Sequence, residues 1–482
     1  MGLDKLIQQQ LAAGCSSRRL LTLPVALVLA LFLLWTARIS FGDSFPSLAK
    51  ASSSVLKGPP QPPPVAGGGG SNVNYPPPPV DLSQPDAPFV GWPLQRVCNE
   101  AHWVDGLVFV CDNNSGGIGN VRNYIQTCIR YAIEAGATGL VVPRIRQRSD
   151  KDLADLFTDF LPFNYMFDED HFRTSMTTFC PQMTLYSNLT DIPSFHDAAL
   201  QVEEIKPKDM VNKHVDWQDF NRHTDHWGDV FRKWLFEGFR VEGTAAEATP
   251  DQRPRAPTVD KPRIIRFKWG VLWDWPVYRD GPEFATTFGS ILKFHPELMY
   301  LGKQAVKSLH RLSRENGDPM GHFLGMHLRS ESDSMGFWPQ YEDQNKAYLD
   351  KAREKGYKTA YLATGNATEG QKLADGAQAT LGMKVWSKTD LLEPQDLEKL
   401  QALTWDQQGV VDFIVLLASE YFVGVMPSSF SVYMTIKRHL KMEGIYSRPY
   451  KVGTEGDGRS YLVGKYDEYY GGWLFMFDGM WP

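Results

Sequence analysis

Apolar runs of strand length alternate with helix-length amphipathic stretches in two separate parts of this 482-residue chain, and that pattern leaves few folds open. In the first part, Leu107 to Cys111 reads as a buried strand and Ser115 to Gly119 as a tight loop. Asn120 to Ala135 then carries Val121, Tyr124, Ile125, Cys128, Ile129 and Ile133 at the spacing of one helix face, and Gly136 ends it. Thr138 to Val142 is the next strand. This is a βαβ start with its glycine loop at the carboxyl end of a strand, where open α/β sheets bind ligands. After Lys261 the pattern resumes. A helix runs through about Leu312, strands lie at 322–328 and 358–363, and helices lie near 343–355 and 367–380. An apolar helix at 410–419, a strand at 421–425 and a helix ending near Leu440 follow. Such alternation implies a second parallel, doubly wound sheet. The aromatic-rich stretch 152–240 reads as mostly helical, and 242–262 as an exposed loop.

The composition, 43% hydrophobic and 22% charged, suits packed cores. A net charge of −6 gives no basic footprint and argues against a nucleic-acid partner. Leu20 to Trp35 is apolar apart from Thr22 and Pro24; with Thr36 and Ala37 it reaches the minimum length of a membrane span. Lys5, Arg18 and Arg19 precede it, which places the N-terminus in the cytosol and the rest in the lumen. Trp35-Thr36-Ala37-Arg38 is a poor cleavage site, so an uncleaved anchor is expected rather than a signal peptide. A short span suits the thin membranes of the endoplasmic reticulum or Golgi. Runs of proline at 62–64 and 76–79 and of glycine at 67–70 mark a disordered stem. Cys98, Cys111, Cys128 and Cys180 would be luminal and make two disulfides, with three pairings open. No Cys/His spacing suggests a metal site. Asn188 and Asn366 head glycosylation sequons.

Three loops could carry chemistry. Gly116-Gly117-Ile118-Gly119-Asn120-Val121-Arg122 lets backbone approach a ligand and offers amides at a helix start. It could equally be a plain turn capped by Asn120, or a dinucleotide loop, although no acidic residue ends the next strand. His327-Leu328-Arg329, with Glu331 and Asp333, follows a buried strand; the His and Arg share a side, and an Arg there can hold a diphosphate without metal. Its bland alternative is a charged surface turn. Pro427-Ser428-Ser429-Phe430-Ser431 offers hydroxyls and amides at a helix start, as an anion site or as simple capping.

Taken together and in order, these loops resemble the GDP-fucose protein O-fucosyltransferase family. The resemblance runs through Gly116–Arg122, Phe294-His295-Pro296-Glu297-Leu298, His327-Leu328-Arg329 with Asp333, Tyr361-Leu362-Ala363-Thr364-Gly365, Val411-Asp412-Phe413-Ile414 and Ser428–Ser431. It implies an α/β fold of two Rossmann-like, doubly wound domains (GT-B) behind a single N-terminal transmembrane helix and the disordered stem. The expected map is a cytosolic tail 1–19, anchor 20–37, stem 38–92, acceptor-side domain 93–315 and GDP-sugar domain 316–482. It implies a type II membrane enzyme that transfers fucose from GDP-fucose, with inversion and without metal or other cofactor, to a luminal protein or glycan hydroxyl. Carried over, Arg329 holds the β-phosphate and Asn120 orients donor or acceptor near the anomeric carbon. Donor binding falls to Gly117, Gly119, His327, Asp333, Asp412, Ser428, Ser429 and Phe430. The loop departs from the family in carrying Val121 and no Glu, which leaves open an oxocarbenium-like mechanism with late proton loss or another carboxylate, such as Asp112 or Glu331, as base. Rival readings are a same-fold transferase using another nucleotide sugar, an inactive glycan-binding relative, and an NADP oxidoreductase built on the glycine loop.

Overall fold

The structure is a computed structural model that describes residues 80–149, 152–195, 201–205, 231–232, 235–237, 256–268, 273, 275–331, 338–443, 453–454, 457–464 and 472–482. The expected tail and anchor, and the stem as far as residue 79, lie outside the described residues. Among the described residues no helix is long and apolar enough to cross a membrane. The packed part begins before residue 92. Ala87 is buried, and the Phe89 ring sits 5.7 Å from both Phe179 and His171.

Strands β1 (Val104–Val110), β2 (Ala137–Val141), β5 (Thr184–Tyr186), β6 (Val202–Ile205) and β7 (Arg263–Phe267) make one sheet, ordered β5-β2-β1-β7-β6. Between β2 and β5, strands β3 (Ile145–Gln147) and β4 (Asp159–Leu161) form an antiparallel pair. The second sheet is ordered β10-β9-β8-β11-β12, from β8 (Leu324–His327), β9 (Thr359–Ala363), β10 (Lys384–Trp386), β11 (Tyr421–Val425) and β12 (Ser460–Val463). Every neighbouring pair in both sheets is parallel. Parallel sheets are covered on both faces, and β8, β9 and β11 are buried along their whole length.

The main helices are α1 (Trp92–Glu100), α2 (Ile118–Ala135), α3 (Glu169–Phe179), α4 (Pro296–Glu315), α5 (Tyr341–Lys355), α6 (Ala367–Leu381), α7 (Trp405–Leu417) and α8 (Ser429–Glu443). Gly136 ends α2 as its composition suggested: at φ +74° its N–H reaches back to Ala132 O and Ile133 O. Helix α4, the last element of the expected first domain, packs on α7 of the second, and Gly302 gives room for Ile414. One large apolar core spans both halves, from Leu107 and Phe109 through Phe294 and Leu298 to Phe413 and Phe430.

Two expectations are resolved here. The disulfides are Cys98–Cys180, joining α1 to the residue after α3, and Cys111–Cys128, joining the end of β1 to α2. The stretch 152–240 is not mostly helical where it is described: it holds β4, β5 and β6 beside α3. These strands are three or four residues long, and Val202-Glu203-Glu204-Ile205 lies at the sheet edge, where no continuous apolar run marks it. Asn366 is poorly placed as a glycan acceptor, because its Nδ2 donates to Ser330 O (3.0 Å) and Glu369 Oε2 (3.1 Å); Asn188 is exposed.

Strand order positions the site. In the second sheet the order reverses between β8 and β11, and in the first between β1 and β7. Loops leaving neighbouring strands in opposite directions open a crevice at that point, beyond the carboxyl ends. The loop after β1 carries the glycines, the loop after β8 carries Arg329, and the loop after β11 carries Ser428.

Candidate active site

These loops meet in a cleft of about 380 Å³, within the size range of small-molecule sites. Gly116, Gly117 and Asn120 line it from the first half; His327, Arg329, Asp412, Ser428, Ser429 and Phe430 line it from the second. Asp333 lies outside the described residues. A larger cleft of about 880 Å³ lies along the charged face of α5, with Pro427 and Trp338 on its wall. Of the residues singled out in the sequence only Pro427 borders it, so the smaller cleft is the candidate site.

The glycines differ in their work. Gly116 has φ +83°, and a Cβ there would lie 2.9 Å from Asn120 Nδ2. Gly117 caps α2 and borders the cleft. Gly119 faces the neighbouring helix instead: its Cβ position is 2.7 Å from the backbone C and O of Ser429, so this glycine lets α2 meet the start of α8. Asn120 Oδ1 is buried with no hydrogen-bond partner. Arg122, two residues on, points away from the cleft. It is 2% exposed and donates to Gly289 O (2.6 Å), Trp481 O (2.7 Å) and Pro482 O (2.9 Å), holding the C-terminal segment on α2.

At the end of β8, His327 Nδ1 is 2.7 Å from Ser431 Oγ, and its ring lies 4.5 Å from that of Phe430. Burial pushes the imidazole pKa down to about 4, helped by the Arg329 guanidinium and opposed by Glu331. His327 is therefore neutral at physiological pH. In the unfolded chain it takes up a proton near pH 6.5. Stability is thus undiminished above that pH and falls as the pH drops towards 4, by about 3 kcal/mol in all. Urea midpoints at pH 7 and pH 4.5 check this: His327→Gln should be hurt less by acid than the parent. Equal acid losses in both proteins would remove His327 as the cause.

Arg329 is held through both its backbone and its side chain. Its backbone N–H donates to Gln344 Oε1 (3.0 Å), Gln344 Nε2 donates back to Arg329 O (2.9 Å), and Gln344 is fully buried. Its guanidinium pairs with Glu331 through Nη1 and Oε2 and lies 5.2 Å from the Trp338 ring. Glu331 Oε1 accepts from Gly365 N–H at 2.6 Å. Glu331 thus positions Arg329. Asp112, the other carboxylate singled out as a base, is 3% exposed and does not line the cleft. Arg266 (2.8 and 3.1 Å) and Arg144 (3.1 Å) occupy both its oxygens.

Asp412, on α7, accepts from Tyr361 OH at 2.6 Å and from Lys388 Nζ at 2.8 Å. Burial, then the Asp412 charge, raises the Tyr361 pKa well above its usual value, so the phenol remains a donor. After β11 comes a cis Met426–Pro427 bond; Ser428 O then accepts from Val432 N–H at 2.9 Å as α8 begins. Ser431 Oγ accepts from Val425 N–H at 3.2 Å, which fixes the group that orients His327. Arg148, after the β3 strand, also lines the cleft, 3.7 Å from Asp406 and 5.0 Å from the Trp405 ring. Gln344, Lys388 and Arg148 escaped the sequence reading as site residues, since none lies in a motif loop that would mark it; Glu331 was marked, but as a base rather than as the partner of Arg329. Among the described residues no cluster of three His, Cys, Asp or Glu could hold a metal ion.

The model of the GDP-fucose protein O-fucosyltransferase family matches residues 107–441, more than half of the chain. The chain belongs to that family. It is a glycosyltransferase. No curated protein matches the chain. Among solved structures, POFUT1 in complex with GDP is similar at 10% identity and TM-score 0.42, over 76% of this chain and all of that one. An Arabidopsis thaliana FUT1 mutant in complex with GDP is similar at 13% identity and TM-score 0.35, over 72% of each chain. The fucosyltransferase NodZ from Bradyrhizobium is similar at 14% identity and TM-score 0.35, over 69% of this chain and 92% of that one.

Proposed function

We propose that this family member is a type II membrane enzyme that transfers fucose from GDP-fucose to a luminal protein or glycan hydroxyl, with inversion and without a metal. The observation that carries this reading is the placement of Arg329: a half-buried guanidinium paired with Glu331, on a backbone held by Gln344, at the carboxyl end of the central strand β8 where the strand order reverses. Negative charge collects on the diphosphate as the bond to the sugar breaks. A fixed guanidinium in a cleft stabilises that charge more than it stabilises the intact donor, which is the condition for catalysis. In this reading Ser428 and Ser429 bind phosphate at the start of α8, where the helix dipole adds to the attraction. His327 and Asp412 would contact the guanosine end, with Phe430 beside the nucleoside. Asn120, whose buried Oδ1 lacks a partner, would orient donor or acceptor at the anomeric carbon. Neither Asp112 nor Glu331 is placed to take the acceptor proton, because both are engaged by arginines. A loose transition state with late proton loss therefore suits this site better than early general-base catalysis. The anchor at 20–37 would tether the enzyme to the Golgi or endoplasmic reticulum membrane.

The full-length protein, incubated with labelled GDP-fucose and secretory glycoproteins in EDTA, should transfer label to them and release GDP. Transfer from a UDP-sugar instead, or complete loss of transfer in EDTA, would overturn the donor or the metal-free mechanism respectively.

A further inference from the structure

We propose that Lys388 is a base-reading residue: together with Asp412 it forms a donor–acceptor pair that selects a guanine over other bases. The inference rests on the reading of the cleft as a GDP-sugar site. Lys388 and Asp412 both line that cleft and pair at 2.8 Å, with side chains 16% and 10% exposed. The pair stands at the carboxyl end of β10, two strands along from the β8 strand that carries Arg329. Neighbouring strands lie about 4.8 Å apart, so the two strand ends are separated by about 10 Å. That places Lys388 on the far side of the cleft from a diphosphate at Arg329, where the base of the same nucleotide must lie.

The chemistry of the pair fits guanine. A guanine edge offers an N–H and an amino group as donors beside the O6 acceptor; adenine reverses the amino and acceptor positions, and uracil has no amino group. Asp412 supplies two acceptor oxygens, each with a lone pair left after Tyr361 and Lys388 have donated. An ammonium has three N–H groups, so Lys388 can donate to O6 while keeping Asp412. The pair is also held in place. Lys388 opens a short turn whose Ser387 N–H donates to Asp390 Oδ2 at 2.8 Å, and Tyr361 OH fixes Asp412 from the opposite side. Lys388 also balances the buried Asp412 carboxylate, so its removal alone should cost stability, and the preference between nucleotides rather than stability is what reports base reading.

The test is titration of the full-length protein, its Lys388→Met variant and its Lys388→Arg variant with GDP, ADP and 6-thio-GDP, whose sulfur is a weaker acceptor in place of O6. The parent should prefer GDP to both. Lys388→Met should bind GDP roughly 10- to 100-fold more weakly and lose most of the preference for GDP over 6-thio-GDP, a hydrogen bond to a charged group being at stake. Lys388→Arg should keep part of that preference. If Lys388→Met remains folded by thermal melting and keeps the parent's preference between GDP and 6-thio-GDP, the inference is wrong while the GDP site stands. If the parent itself binds no GDP, the site reading fails first. If Lys388→Met does not fold, the Lys388→Arg variant decides: full retention of all three affinities and both preferences overturns the role of the primary ammonium.

Discussion

Arg329→Ala should abolish fucose transfer, with kcat lower by roughly two to four orders of magnitude, and should weaken GDP binding about tenfold to a hundredfold. The larger effect on turnover follows from where the charge is needed. A guanidinium that bound donor and transition state alike would change KM alone, whereas one aimed at the leaving diphosphate acts on kcat. The truncation also strips Glu331, a carboxylate 5% exposed, of its cation. Some loss of stability is expected for that reason, since an unpaired buried charge is costly. Arg329→Lys separates the two causes. It restores charge beside Glu331 and so should recover stability, yet a point charge cannot reproduce the planar fork, and turnover should recover only in part. If Arg329→Ala keeps the parent's GDP affinity and transfer rate, the donor is not held at β8.

The second large effect is expected at Gly119. Alanine there would place its Cβ 2.7 Å from the Ser429 backbone, which cannot swing aside as a flexible side chain could. The cost should be about 1–3 kcal/mol of overpacking, read as a lowered urea midpoint, partly offset by alanine's better helix propensity. Ser428 and Ser429 would shift with the start of α8, and GDP binding should weaken. Gly117→Ala is the contrast. Its nearest atom would be Arg148 Nη2 at 4.0 Å, and its φ of −71° suits any residue. Stability should change by less than about 0.5 kcal/mol, leaving any effect to donor binding. Equal stability losses at the two glycines would remove the close helix contact as the reason for Gly119.

How far the sequence could carry this depends on the kind of signal. Long apolar runs located β1, β2, β8, β9 and β11, together with the helices between them, because a strand buried on both faces must be apolar throughout. Edge strands carried no such mark: β10 is Lys384-Val385-Trp386 and β6 holds two glutamates. Lys388 was therefore not anticipated, since it sits at the end of a strand the pattern does not show. Most motif residues do converge, and the cleft-lining His327, Arg329, Asp412, Ser428, Ser429 and Phe430 all lay in loops or helices found from sequence. What the motif could not say is which partners those residues keep. Gly119 reads like its neighbours but serves helix packing. Glu331 reads like a base but holds Arg329 two residues before it, and Asp112 is bound by Arg144 and Arg266, 32 and 154 residues on, pairings that the order of residues along the chain does not announce. Two of the four paired cysteines, Cys111 and Cys128, share one βα unit; the other pair spans 82 residues and had no sequence signature.

The most direct measurement is calorimetric titration of the full-length protein with GDP and with UDP, both in EDTA. A guanine-nucleotide-sugar site built on Arg329 and the start of α8 predicts saturable GDP binding without metal and little binding of UDP. Tighter binding of UDP, or no binding of either nucleotide, would contradict it.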